Sequence, residues 1–257
     1  MRKLLQSLCF ITFFYYVYIP LHAENITIKI ATGEWAPYVS SKMKNFGPST
    51  EIIQASCKAA NILPIIEFYP WKRTEHYLSQ GEYFGAYPYT IRKDRQKIFD
   101  FSEPLFKTVV VYVYYKQNIE SRQIKNIKTL ADLKNYRLGG LSGSFQFQEL
   151  DGKVYKIHCT TNIQQAIKML VKNRIHFFLE ERTVAFYEIE KAFPGKSIDF
   201  GILNFHYGSQ TYDALMVSRK YPNSDILLKK FNEGLKSIKQ NNIYTAIVNK
   251  YNMAPAD

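Results

Sequence analysis

Thr90 and Arg95, five residues apart, could together hold an anion. Arginine presents a planar fork of N–H donors that pairs bidentately with a carboxylate. A threonine hydroxyl at a strand end adds an adjustable hydrogen bond. Taken alone, Arg95 lies in the basic run Arg92-Lys93-Asp94-Arg95-Gln96-Lys97 and reads first as a solvated surface arginine. Gly139-Gly140-Leu141-Ser142-Gly143-Ser144-Phe145 carries a predicted strand into a predicted helix. Backbone N–H groups at a helix start attract anions, and Ser144 there could equally be a plain cap. Glu180 and Glu181 close the apolar run that begins at Ile175. A carboxylate at a strand's carboxyl end suits a desolvated cation, although two acids opening the next helix would also complement its dipole. Trp35, within Glu34-Trp35-Ala36-Pro37-Tyr38, and Trp71 could sandwich an apolar or cationic group or pack into a core. There is no CxxC, no HExxH and no clustered histidine, so no metal site or cofactor is indicated.

The elements that must position these residues follow a repeating order. Ile26 to Ala31 alternates apolar and polar as a strand does. Ser49 or Thr50 can cap a helix reaching Asn61, and Leu63 to Phe68 is the next strand. Trp71 to Gln80 is a helix stopped by Gly81, and Phe84 to Tyr87 a short buried strand. Val109 to Tyr115 is strongly β-forming, and after it the order restarts. Helix is expected at Thr129–Lys134, from Ser144 to Leu150, at Asn162–Lys172, at Glu181–Lys191, and near 223–240 and 242–251. Strands are expected at Arg137–Leu141, Val154–His158, Ile175–Leu179, Ile198–Leu203 and Tyr212–Val217. Two α/β units on one chain predict two lobes, and the facing carboxyl ends of their strands make a cleft that could close on a small molecule. Tyr87, ending a strand, is a further candidate for the cleft edge.

Residues 1–23 read as a secretory signal peptide: Arg2 and Lys3, an apolar stretch from Leu4 to Ile19, a break at Pro20, and Ala23 before the cut. A retained N-terminal anchor is the alternative. Cleavage removes two of the 34 bases and no acid, leaving 32 against 22 acids, or +10. The lysines are scattered, and no nucleic-acid-binding motif is present, so a solvated basic surface is the plain reading. Cys57 and Cys159 are expected as free thiols buried in different lobes, because a bridge between lobes would oppose hinge motion.

Thr90, Arg95 and the run Asp100-Phe101-Ser102-Glu103-Pro104 keep the spacing of a known pattern. In it a Thr or Ser precedes an Arg by five residues and a hydrophobic-Asp-Phe-Ser-Asp/Glu-Pro run follows. On these residues the chain resembles the family 3 (polar amino acid type) extracellular solute-binding proteins of ABC transporters. Pro70-Trp71-Lys72-Arg73 is similar to a Pro-Trp-x-Arg subgroup. The resemblance implies an α/β, two-lobed type II periplasmic binding protein fold with a hinged interlobe cleft. Lobe 1 would comprise residues 24–111 and 210–257, and lobe 2 residues 112–209. It assigns Arg95 and Thr90 to the ligand α-carboxylate, with the Ser144 hydroxyl and Phe145 N–H completing that shell. Glu181 falls at the acid that pairs with the α-ammonium, with Glu180 one residue away. His176 replaces an earlier acid of the pattern, and Phe145 a small residue. Trp35 would cover the ligand side chain and Trp71 form the opposite wall.

The function so implied is non-enzymatic: a monomeric periplasmic receptor that captures an amino acid or similar small polar solute and delivers it to an inner-membrane ABC permease. Two alternatives share the fold. One is a periplasmic dehydratase acting on a cyclohexadienyl compound, with Glu181 or Glu34 as general acid. The other is a sensory protein presenting its ligand to a membrane receptor.

Overall fold

The computed structural model describes residues 26–142, 150, 154–203, 211–251 and 253–256. Residues 1–23, read as a signal peptide, and Ser144 and Phe145 lie outside the described residues. The first half runs β1 (Ile26–Thr32), α1 (Pro48–Ala59), β2 (Ile62–Phe68), α2 (Trp71–Gln80), β3 (Gly85–Thr90), α3 (Lys93–Gln96), β4 (Phe99–Phe101) and β5 (Phe106–Thr108). The chain then builds a second half from β6 (Val110–Tyr115), α4 (Ser121–Asn126), β7 (Arg137–Leu141), β8 (Lys156–Thr160), α5 (Ile163–Val171), β9 (Phe177–Glu181), α6 (Arg182–Ala192) and β10 (Phe200–Ile202). It returns to the first through β11 (Thr211–Ser218), α7 (Ser224–Gln240) and α8 (Ile243–Lys250).

The first sheet has the order β2-β1-β3-β11-β4, with β5 also paired to β11; the second has the order β10-β6-β9-β7-β8. Each is parallel through its strand–helix–strand part and antiparallel where a crossing strand enters: β11 against β3, and β6 against β9. The fold is therefore the two-lobed α/β arrangement expected. Val110 and Val111 pair with Glu181 and Glu180, so the second sheet begins at Val110.

Sequence pattern explains the main elements. The ITIKIAT strand buries Ile28 and Ile30 and leaves Thr27 and Lys29 outside, because successive side chains of a strand alternate faces. Burying residues such as Ile52 and Ile53 of α1 contributes about 1.5–3 kcal/mol each. Gly81 ends α2 with φ 79°, a left-handed conformation that glycine adopts without a Cβ clash. In β3, Tyr89 and Ala86 face Ala214 and Met216, so three steps on β3 meet two on β11. The extra residue falls at Tyr87-Pro88, where Pro88 has no N–H for the ladder. Below this bulge the register brings Asp213 opposite Thr90.

The elements differ from expectation in several places, among them Ile198–Leu203, where a 3-10 turn at Ser197–Asp199 precedes strand at Phe200–Ile202 alone, and the unexpected short helices α3 and α4. Thr129–Lys134 was expected as an α-helix, and Leu130–Asn135 is a tighter 3-10 turn opened by a Thr129–Asp132 capping box. The three-residue strands β4 and β5 are too short to show a period. β8 begins two residues later than its alternation suggests, at the edge of its sheet. That edge position also leaves Cys159 exposed, whereas Cys57 is buried in the first core; both are free thiols. No helix among the described residues is long and apolar enough to cross a membrane.

Candidate ligand site between the two sheets

The two halves meet where their strands end. Val184, in the first turn of α6, belongs to the same apolar cluster as Tyr38, Val39 and Phe106 of the first half. Beside this contact the polar groups collect in two sets, one on each sheet.

On the first sheet, β1 ends at Thr32 and the chain turns through Gly33 to Tyr38. Trp35 and Val39 exchange backbone hydrogen bonds of 2.8 and 3.1 Å, which closes the turn. It holds the Trp35 and Tyr38 rings 4.8 Å apart, and Tyr38 stacks on Phe106 at 4.9 Å. Trp71 packs flat over Gly33, where a Cβ would come within 2.6 Å of the indole. Its indole N–H donates to the Glu34 carbonyl at 3.3 Å, and its ring meets Tyr89 edge-on at 5.5 Å. Glu34 accepts from the Ser41 N–H at 3.0 Å. Partial burial pushes its carboxyl upward, but hydrogen bonds from Ser40 and Ser41 and the charge of Lys42 leave it below its ordinary value. Glu34 is thus engaged within its own loop.

At the end of β3, the Thr90 hydroxyl donates to Asp213 Oδ1 at 2.8 Å, and the Thr108 hydroxyl donates to Oδ2 at 2.6 Å. Asp213 is 1% exposed. Burial raises its carboxyl, opposed by the two hydroxyls and by the Arg95 charge. Arg95 projects from α3, with one guanidinium nitrogen 3.1 Å from Glu75 and another 3.4 Å from the Thr90 carbonyl. Its guanidinium lies 4.8 Å from the centre of the Tyr89 ring.

On the second sheet, Glu180 and Glu181 end β9 and are 4% and 3% exposed. Glu181 has φ −60° and ψ 136° and accepts from the Val184 N–H at 2.9 Å, so it caps α6. Glu180 accepts from the Glu181 N–H at 2.8 Å. Strand alternation would send the two acids to opposite faces, but both are buried and both meet side chains from the first half. Glu180 meets Trp35, and Glu181 meets the Tyr38 hydroxyl, which also faces Thr183. Burial pushes Glu180 up to about 8, with the Glu181 charge adding and the Glu181 N–H and Trp35 opposing. Burial likewise pushes Glu181 up to about 7, offset by backbone N–H donors including Val184, while the Asp213 charge adds.

Of the residues singled out in the sequence, Trp35, Thr90, Arg95 and Glu181 come together around this junction, with Trp71 behind Gly33. Tyr87 does not. It is fully buried, its hydroxyl is 2.8 Å from the Thr50 hydroxyl, and its carbonyl accepts from Thr32 at 2.6 Å. The bulge at Tyr87-Pro88 turns that ring into the first core instead of the cleft edge. Three groups went unread: Tyr38, Thr108 and Asp213. Asp213 carried a signal, as a lone acid in the otherwise apolar strand Tyr212-Asp213-Ala214-Leu215-Met216-Val217. Among the described residues no group of acids, histidines and cysteines is arranged to hold a metal ion.

Solved structures share the fold at low sequence identity. The GluR0 ligand-binding core from Nostoc punctiforme, in complex with L-glutamate, superposes with a TM-score of 0.71 at 17% identity, over 87% of this chain and 98% of that one. A histidine kinase sensor domain with similarity to periplasmic binding proteins gives 0.75 at 15% identity, over 90% and 98%. The arginine-, lysine-, histidine-binding protein ArtJ from Geobacillus stearothermophilus gives 0.69 at 21% identity, over 89% and 96%. No curated protein is recognisably similar in sequence. The model of the bacterial extracellular solute-binding proteins, family 3, matches residues 28–254, and the chain belongs to that family.

Proposed function

We propose that the chain captures an amino acid or similar small polar solute between its two lobes and delivers it to an ABC importer after export to the periplasm. The observation that carries this is the pair of buried carboxylates at the end of β9, facing Trp35 and Tyr38 across the junction. A buried carboxylate without a cation is costly, and both acids are held near neutrality as a result. A solute ammonium placed between them would supply the missing charge, and the Trp35 face would flank it. Groups from both sheets would then hold one solute, which is how a two-lobed receptor links binding to a shape that a permease can read. Family membership and the amino-acid ligands of GluR0 and ArtJ support the solute class.

The test is a thermal-shift screen of the purified mature chain over amino acids and small amines, because a solute bound only by the folded state raises Tm. A solute that raises Tm by several degrees is expected; a flat response across both classes would reject the reading. The raised acids favour one second reading, since a carboxylic acid protonated near pH 7 is what a dehydratase needs as proton donor. Incubation with a cyclohexadienyl acid separates the two: a new aromatic ultraviolet band would mark catalysis.

A further inference from the structure

We propose that Asp213 stands where a ligand carboxylate would otherwise sit, so that the cleft takes a small organic cation lacking a carboxylate, an amine or guanidine, in place of a free amino acid. The inference rests on the reading of the cleft as a solute site and changes only what that solute carries.

Thr90 and Arg95 are the two groups able to fix a carboxylate at the end of β3, and both already serve protein acceptors. The single proton of the Thr90 hydroxyl goes to Asp213 Oδ1 at 2.8 Å, so it has none to give a solute. The second oxygen of Asp213 is taken by Thr108 at 2.6 Å. Arg95 donates to Glu75 and to the Thr90 carbonyl, and its charge acts on Asp213. An incoming carboxylate at this point would lie against a buried anion of the same sign. Repulsion between such groups is strong where water is excluded.

The remaining charges point the same way. Across the junction Glu180 and Glu181 add two buried carboxylates, and the field of Asp213 reaches Glu181. Arg95, whose guanidinium reaches the Thr90 carbonyl at 3.4 Å, is shared with Glu75 at 3.1 Å. Each of these acids would gain from a neighbouring cation, and the carboxylate that a zwitterion also brings would meet Asp213. The partly exposed Trp35 ring suits that cation as well.

The test is calorimetric titration of the mature chain with pairs differing only in the carboxylate: arginine against agmatine, and lysine against cadaverine. In at least one pair the decarboxylated member is expected to bind at least tenfold tighter. Asp213→Ala frees Thr90 and Arg95 and is expected to reverse that preference. Asp213→Asn keeps the side-chain volume and removes the charge; it serves if the alanine variant does not fold, and is expected to narrow the preference at least tenfold. Equal affinities, tighter binding of the amino acid, or an unchanged preference in the folded Asp213 variants would overturn the proposal. Binding of neutral or acidic amino acids alone would overturn it while leaving the solute-binding reading intact. Failure of every solute to bind would remove both.

Discussion

The buried carboxylates of β9 are expected to make the ligand-free protein lose stability as pH rises. Each is raised in the folded state above its ordinary 4.5, Glu181 to about 7 and Glu180 to about 8. Below 4.5 both are protonated in the folded and unfolded chains, and the folded state carries no penalty. Above their folded values both are ionised, and the folded chain must hold charge where water is scarce. The stability present at low pH is therefore lost progressively between about pH 5 and pH 9. At about 1.4 kcal/mol per unit, Glu181 alone accounts for about 3 kcal/mol. Glu180 adds to this less than independently, because the two charges oppose each other. For a chain of this size about 3 kcal/mol corresponds to about 6–12 °C in Tm. Asp213 shares the sign. His176, held below its ordinary value by burial and then by Arg137, acts in the opposite sense. A comparison with Glu180→Gln/Glu181→Gln cancels both contributions. Thermal and urea unfolding at pH 5.5 and 8.5 are expected to show a loss in the native chain that the double variant largely abolishes. Equal pH dependence in the two proteins would refute the reasoning.

Other expectations are simpler to check. Gly33→Ala puts a methyl within 2.6 Å of the Trp71 indole, and is expected to destabilise by about 1–3 kcal/mol in urea unfolding and to shift tryptophan fluorescence. Tyr87→Phe removes the bond to Thr50 and is expected to lower stability by about 1 kcal/mol while leaving solute affinity unchanged, since the ring is in the core. A thiol reagent is expected to label Cys159 rapidly in the folded protein and to reach Cys57 only on unfolding. Burial of Cys57 hides its thiol and pushes it up to about 12, and mass spectrometry after timed quenching reads the order.

Much of the fold could be read from the chain because the controlling signals are local. Strand alternation at Ile26–Thr32, the apolar face of α1, and Gly81 after α2 each act within one turn or one strand. The limits of Trp71–Gln80 and Arg137–Leu141 follow directly. β4 and β5 offer three residues each and owe their existence to β11, a partner more than 100 residues away. The site divides in the same way. Glu180 and Glu181 are visible as acids ending an apolar run. That both are buried depends on where β9 passes into α6, and on Trp35 and Tyr38 arriving from the other sheet. Asp213 shows the limit most clearly. The sequence contains a lone acid in an apolar strand, but its pairing with Thr90 is set by antiparallel register after a bulge at Pro88. Nothing local encodes that register.

The most direct measurement is a calorimetric titration of the native chain and of Glu181→Gln with the tightest solute from the screen. The amide keeps the volume and can still accept from the Val184 N–H, so the cap survives while the charge is removed. A hydrogen bond to a charged group contributes about 1.5–3 kcal/mol, so a loss of affinity of about tenfold or more is expected, with no loss of Tm in the ligand-free variant. Undiminished affinity in Glu181→Gln would contradict the placement of the solute's cation at the end of β9.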